Sequence, residues 1–71
     1  MKLLTPIPLE KISIGTIGYV EVFDKDQRSF GMILVKVISM RPHIERIEVI
    51  PVAGYSTCVW IYPKNLLEER S

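Results

Sequence analysis

Cysteine and histidine are almost absent from this sequence, which has one of each, Cys58 and His43. A single cysteine excludes a disulfide within the chain, and the two residues cannot supply four side-chain ligands for a structural zinc ion. A chain of 71 residues forms one domain and buries only roughly 60% of the surface of its unfolded form, so its own core is a marginal source of stability. Oligomerisation remains as a further source, and we expect a homo-oligomer.

The sequence also lacks an excess of charge of either sign, since its net charge is +1. A strong nucleic-acid binder carries a basic excess, so charge alone favours neither a nucleic acid nor a membrane as partner. No apolar run approaches the ~20 residues of a membrane span. The apolar run before Pro6 at the N-terminus is far shorter than the about 7–15 residues of a signal-peptide core. A lone thiol without an export signal predicts a cytoplasmic protein with no membrane partner.

Residue sets for catalysis or metal binding are missing as well. His43 follows Pro42 on a predicted turn, and Cys58 lies in a predicted strand with no base near it in sequence, so no nucleophile–base pair is predicted. The carboxylates that occur in pairs are flanked by basic residues or lie near the chain end, as expected for a solvated surface. The sequence therefore predicts no catalytic residue, no metal site and no cofactor.

Apolar residues make up 48% of the chain, and they are arranged with the period of strands rather than of helices. β-Branched and aromatic residues dominate these segments, as is typical of β-sheet. The five predicted strands are Tyr19–Phe23, Met32–Met40, Ile44–Val52, Thr57–Tyr62 and a last short one at Leu66-Leu67. The polar segment Asp24–Gly31 is predicted to be a loop, and Pro63–Asn65 a single helical turn.

Two prolines, Pro6 and Pro8, predict an extended arm over Met1–Ile12, because each fixes its own backbone and extends the residue before it. The remaining residues, 13–71, are predicted to form an all-β, five-stranded, partly open barrel that curls to hide its edges. The hydrophobic alternation slips near the end of the third predicted strand, Ile44–Val52, which predicts a β-bulge near Ile50-Pro51.

Apolar side chains on both faces of Met32–Met40 predict a central strand or one that meets another subunit. Ile33, Val35 and Val37 are expected to face inward, and Leu34 to face the other way. Some of the apolar surface of this small domain is therefore expected to lie in an interface.

Aromatic residues fall on strand faces opposite the inward valines and isoleucines, among them Tyr19, Trp60 and Tyr62. If that face is outward, they form a patch that can stack bases or anchor a protein partner. The alternative is a register in which some of them belong to the core. Arg41 and Arg46 flank a predicted turn and could contact phosphate, or be neutralised by the glutamates beside them.

The order strand, Pro63, one residue, Asn65 and Leu66-Leu67 resembles the end of SH3-like barrels, in which the proline begins one helical turn before the last strand. A second resemblance is narrower: Val59–Pro63, followed by Leu66–Arg70, is similar to the end of type II, plasmid-borne dihydrofolate reductases. It implies a tetramer of SH3-like barrels around one pore and activity that depends on NADPH.

The pore-lining stretch of that family is Gln-Ile-Tyr, which Ile61 and Tyr62 match, whereas Trp60 stands where the family has Gln. An indole cannot copy the paired donor and acceptor of an amide. We therefore predict a small non-catalytic module that acts through protein interaction or self-assembly. A nucleic-acid-binding barrel and an NADPH-dependent reductase are the alternatives. The residues predicted to bind a ligand or partner are Tyr19, Arg41, Arg46, Trp60, Ile61 and Tyr62.

Overall fold

The computed structural model describes residues 3–53 and 57–70, except for the side chains of Phe30 and Pro42. Across these residues the regular structure is β-strand and short 3-10 turns, with no α-helix. The strands are β1 (Leu3–Pro6), β2 (Ile17–Phe23), β3 (Ser29–Arg41), β4 (Arg46–Pro51), β5 (Val59–Ile61) and β6 (Leu67–Arg70). They form one antiparallel sheet in the order β1-β6-β2-β3-β4-β5. The predicted all-β class is confirmed.

The sheet has six strands rather than the five predicted, because part of the N-terminal arm joins it. β1 pairs with β6 from Leu3–Arg70 to Pro6–Leu67. It lies at an edge of the sheet, where a proline that cannot donate a ladder hydrogen bond is tolerated. After β1 the arm forms a 3-10 turn at Leu9–Lys11. Met1 and Lys2 of the predicted arm lie outside the described residues.

The predicted loop Asp24–Gly31 is shorter than expected, because β3 already begins at Ser29. One carboxylate oxygen of Asp24 accepts hydrogen bonds from the backbone amides of Asp26 (2.8 Å) and Arg28 (2.9 Å). Gln27 adopts a left-handed backbone, with φ of 64°. The aspartate side chain thus closes the turn locally, and the pairing of β2 with β3 starts sooner than the polar composition suggested.

The core consists of side chains that one face of the sheet and the arm contribute together. Its buried members are Ile7, Ile12, Val35, Val37, Ile47, Val49 and Leu66. Val35 and Val37 therefore face inward as predicted. Ile33 lies on the same face, opposite Val20, which packs against the core. At 41% exposed, Ile33 is at the margin of the core and is not buried in it.

No register shift occurs near Ile50-Pro51, where β4 pairs with β3 without a break. Ile47 and Val49 are buried, and Ile50 lies on the opposite face of a regular strand. The register shift between these two strands lies on β3. Val37 pairs with Val49, but the next pair is Ser39 with Glu48, so β3 carries one extra residue between them. The bulge position predicted from Pro51 is therefore wrong. Pro51 pairs in register with Val35 at the end of β4, beyond the segment that pairs with β5. A proline there removes no ladder hydrogen bond, so no bulge is needed to accommodate it.

The two glycines near the start of the domain have different roles. Gly15 lies in the turn before β2 and has φ of 99°, a backbone conformation that favours glycine. Gly18 lies within β2 on the inner face, where a Cβ atom would come 2.8 Å from the carbonyl oxygen of Leu67. The missing side chain therefore allows the segment around β6 to approach β2 closely.

Candidate functional site

Charged and aromatic side chains meet on the outer face of the sheet, where β3, β4 and β5 lie side by side. Arg41 of β3 is opposite Arg46 of β4, and Glu48 of β4 is opposite Trp60 of β5. Because residues paired across antiparallel strands share a face, this register places two guanidinium groups and an indole on one surface. Tyr62 follows β5 directly and extends that surface toward the 3-10 turn Pro63–Asn65.

Arg46 is held against Tyr62 by several contacts. Its Cζ lies 3.6 Å from the centre of the Tyr62 ring, and its Nη2 donates a hydrogen bond of 2.7 Å to the Tyr62 hydroxyl. Nη1 donates to the carbonyl oxygens of Ile44 (3.1 Å) and Glu45 (3.3 Å). Cation–π contact and charge-assisted hydrogen bonds act together here, so the guanidinium is fixed before any ligand arrives.

Two further cations lie near exposed rings. Arg41 Cζ is 5.9 Å from the centre of the Trp60 indole, and Lys64 Nζ is 5.5 Å from the centre of the Tyr62 ring. Trp60 and Tyr62 are each 45% exposed, so both keep accessible ring surface. We call this set the cation–aromatic cluster; its members are Arg41, Arg46, Trp60, Tyr62 and Lys64.

The cations of the cation–aromatic cluster are not paired with acids. Among residues 3–53 and 57–70, no carboxylate lies within 4 Å of the charged groups of Arg41, Arg46 or Lys64; the ion pair in this part of the chain joins Glu68 to Arg70 at 3.7 Å. Glu45 and Glu48 are near in sequence and reduce the local positive potential without forming direct pairs. A molecule that touches the cluster therefore meets unpaired cations. At larger distances the charges of Glu45 and Glu48 offset much of their positive potential.

The six residues predicted to bind a ligand or partner do not all meet. Arg41, Arg46, Trp60 and Tyr62 belong to the cation–aromatic cluster, and Ile61 packs against the core instead. Tyr19 lies on β2, where it pairs with Leu34 and Leu67. Lys64 was not predicted, although its position two residues after Tyr62, in a predicted helical turn, was a usable indication.

A second surface of the outer face is apolar. Tyr19 pairs with Leu34, the amide of Val52 donates to the carbonyl oxygen of Leu34, and Ile50 lies opposite Lys36. These residues are half-buried or exposed, and Leu34 is 38% exposed. We call this surface the apolar face; its members are Ile17, Tyr19, Met32, Leu34, Ile50 and Val52.

Side chains for metal binding do not converge in the described part of the chain, where no group of three His, Cys, Asp or Glu residues could hold an ion. His43 is exposed, and Cys58 is half-buried with a free thiol. Within residues 3–53 and 57–70 there is also no helix with the length and apolarity needed to cross a membrane. A scan against protein-family models and searches of curated proteins and of solved structures find no match to this chain.

Proposed function

We propose that β2 to β6 form an SH3-like unit to which β1 adds a sixth strand. Strands β2 to β5 follow one another as an antiparallel meander. One 3-10 turn at Pro63–Asn65 then leads into β6, which returns to pair with β2 through Tyr19 and Leu67. This strand order, with the proline-started turn before the last strand, is what supports the SH3-like assignment.

We propose further that the protein is a small non-catalytic binding module that associates with a second copy of itself through the apolar face. The observation that carries this proposal is the exposure of large apolar side chains of the apolar face in the single chain: Leu34 is 38%, Val52 is 50% and Ile17 is 52% exposed. A standard interface buries roughly 800 Å² of each partner, and side chains of this kind form its centre.

The apolar face suits a second copy because its composition is that of an interface centre. Leu34 and Val52 are exposed, Tyr19 lies opposite Leu34, and the exposed Lys36 lies between Ile17 and Ile50. An apolar patch rimmed by polar residues marks an interaction site on a small domain. A two-fold axis through the patch would place the same residues of both copies in contact, as in most homodimers.

The substitution Leu34→Lys is expected to convert the protein to a monomer. In a two-fold interface it would bring two ammonium groups together in an apolar setting and weaken association by roughly 100-fold. The measurement is the absolute mass by light scattering across a concentration series. The wild type should approach at least twice the chain mass, and Leu34→Lys should stay at the chain mass. Leu9→Lys, at a more exposed position away from the apolar face, is the matched control and should associate like the wild type.

A wild type that remains at the mass of one chain at millimolar concentration would contradict self-association. Equal loss of association in Leu9→Lys and Leu34→Lys would show that added charge, and not the apolar face, controls the mass. Far-ultraviolet circular dichroism of each variant establishes that the fold is retained, since both side chains are exposed in the single chain.

Single-stranded nucleic acid is a second candidate partner, favoured by the arrangement of the cation–aromatic cluster. Trp60 and Tyr62 are two residues apart along the chain, exposed, and each has a cation near its ring. Exposed rings can stack bases while nearby arginine and lysine contact the phosphates, a combination that binds single strands without sequence preference. This role would use the cation–aromatic cluster and leave the apolar face available for a second copy.

Binding of a short oligo-dT to the wild type is expected to weaken with salt. Three phosphate contacts would give a slope of log K against log salt of roughly −2. The fluorescence of Trp60, the single tryptophan, reports binding directly. Arg41→Gln should make the slope shallower by roughly 0.7, and Arg28→Gln, in the loop between β2 and β3, should not change it. Absent or salt-independent binding would exclude this candidate.

A further inference from the structure

A groove opens at one end of the sheet, where the N-terminal arm passes the 3-10 turn Pro63–Asn65. It encloses about 600 Å³, which lies within the range of about 300–1,000 Å³ typical of small-molecule sites. Its accessible apolar lining is Pro6 and Leu9 of the arm and Met40, which is half-buried and packs against the core. We call it the end groove. The buried side chains of Ile7 and Ile47 form its floor.

The end groove has few charged groups, and they are mostly cationic. Arg46 and Lys64 line it together with a single acid, Glu45. The carboxylate of Glu45 is not within 4 Å of either cation in the described residues, so it does not neutralise them by direct pairing. The groove therefore combines an apolar lining with a net positive rim.

Arg46 is also positioned to accept an anion without rearranging. Three of its five N–H donors are used, two by the backbone carbonyls of Ile44 and Glu45 and one by the Tyr62 hydroxyl. The remaining two N–H groups of Arg46 donate no hydrogen bond to the described residues. A guanidinium fixed in this way loses little side-chain freedom when it binds an anion. Lys64, on the neighbouring turn, can add a second cation from the same side as Tyr62.

We propose that the end groove binds a small amphipathic anion, a free molecule with an apolar body and one carboxylate or phosphate group. The apolar body would contact Pro6, Leu9 and Met40, and the acidic group would lie at Arg46 and Lys64. A cationic molecule of the same length would meet the two positive charges and bind less well. This site lies apart from the apolar face, so the inference does not depend on self-association.

The test is a titration of the ¹⁵N-labelled full chain with decanoate, followed by amide chemical shifts, with decyltrimethylammonium as the probe of opposite charge. Both are used below the concentrations at which they form micelles. Decanoate should give saturable shifts centred on the amides of Arg46, Ile47 and Lys64, and decyltrimethylammonium should not. Lys64→Gln should weaken decanoate binding roughly twofold to fivefold, the range expected for one partly exposed charge.

Lys36→Gln is the matched control, because Lys36 is an exposed cation on the outer face, away from the end groove. It should leave decanoate binding unchanged. The proposal is overturned if the cationic probe binds equally well, if the shifts centre on the apolar face, or if Lys36→Gln weakens binding as much as Lys64→Gln. It is also overturned if decanoate produces no saturable shift at millimolar concentration.

Discussion

Gly18→Ala is expected to lower the free energy of unfolding by about 1–3 kcal/mol, the typical cost of overpacking. The new Cβ would lie 2.8 Å from the carbonyl oxygen of Leu67 and 3.0 Å from side-chain carbons of Ile7 and Leu66. A backbone oxygen cannot move aside as the end of a flexible side chain can. To remove this close contact, β2 and the start of β6 would have to move apart. Chemical denaturation of the variant and the wild type at the same protein concentration measures the difference.

The matched control is Ile14→Ala, shortly before the same strand, where the side chain is exposed and does not belong to the apolar face. It should change the stability of the single chain by less than about 0.5 kcal/mol, as is usual for surface sites. A double-mutant cycle of Gly18→Ala and Leu66→Val separates the causes. If the side chain of Leu66 is the obstacle, Gly18→Ala will cost less in the Leu66→Val background than in the wild type. If the Leu67 carbonyl is the obstacle, the cost will be the same in both backgrounds. Equal stability of Gly18→Ala and the wild type would show that β6 does not approach β2 this closely.

Leu66→Ala is expected to cost about 2–5 kcal/mol, the range measured for truncating fully buried leucines. Leu66 is 0% exposed and belongs to the core, and it links two parts of the fold. Its side chain reaches Gly18 on β2, and its carbonyl oxygen accepts a hydrogen bond of 3.0 Å from the amide of Ile7 on the arm. A domain of this size has only about 3–5 kcal/mol of stability from its core. The variant should therefore be largely unfolded at 37 °C, and thermal unfolding followed by circular dichroism will show it.

Ile14→Ala provides the comparison for Leu66→Ala, because Ile14 is 69% exposed and the substitution also removes a branched apolar side chain. Its thermal midpoint should stay close to that of the wild type. A midpoint for Leu66→Ala that also stays within one or two degrees of the wild type would contradict the placement of Leu66 at the centre of the core.

The strands of the central meander were predictable because their side chains alternate. Val35 and Val37 on β3 lie on the inner face of the sheet together with Ile47 and Val49 on β4. Alternation of β-branched residues with a period of two indicates such strands directly. The pairing of β1 with β6 was not predictable in the same way. It joins Leu3 to Arg70, at opposite ends of the chain, and nothing local in either segment specifies the other. Prolines in the arm indicated extension but not a partner.

For the residues of the candidate site, the sequence predicted only the strand face on which each side chain lies. Alternation in the fifth predicted strand placed Trp60 and Tyr62 opposite Ile61, and the structure has them exposed while Ile61 packs against the core. The contact of Arg46 with Tyr62 depends on the register of β4 against β5. That register depends on how many residues connect the two strands, which the sequence does not fix. Tyr19 was grouped with these aromatics by face alone, although two strands separate β2 from β5.

The pairing of β1 with β6 has a consequence for how the chain reaches its native state. The pairings within the meander β2 to β5 join strands that are neighbours in sequence, and such local contacts form with little loss of chain entropy. The pairings of β6 with β2 and of β1 with β6 join distant segments. Docking β1 closes a loop that includes nearly the whole chain, and among the described strands β1 pairs with β6 alone. A circular permutant that links Arg70 to Leu3 through a short turn and opens the chain before β2 would make this pairing a hairpin. The same sheet would then have a lower contact order, and it should fold faster at equal stability.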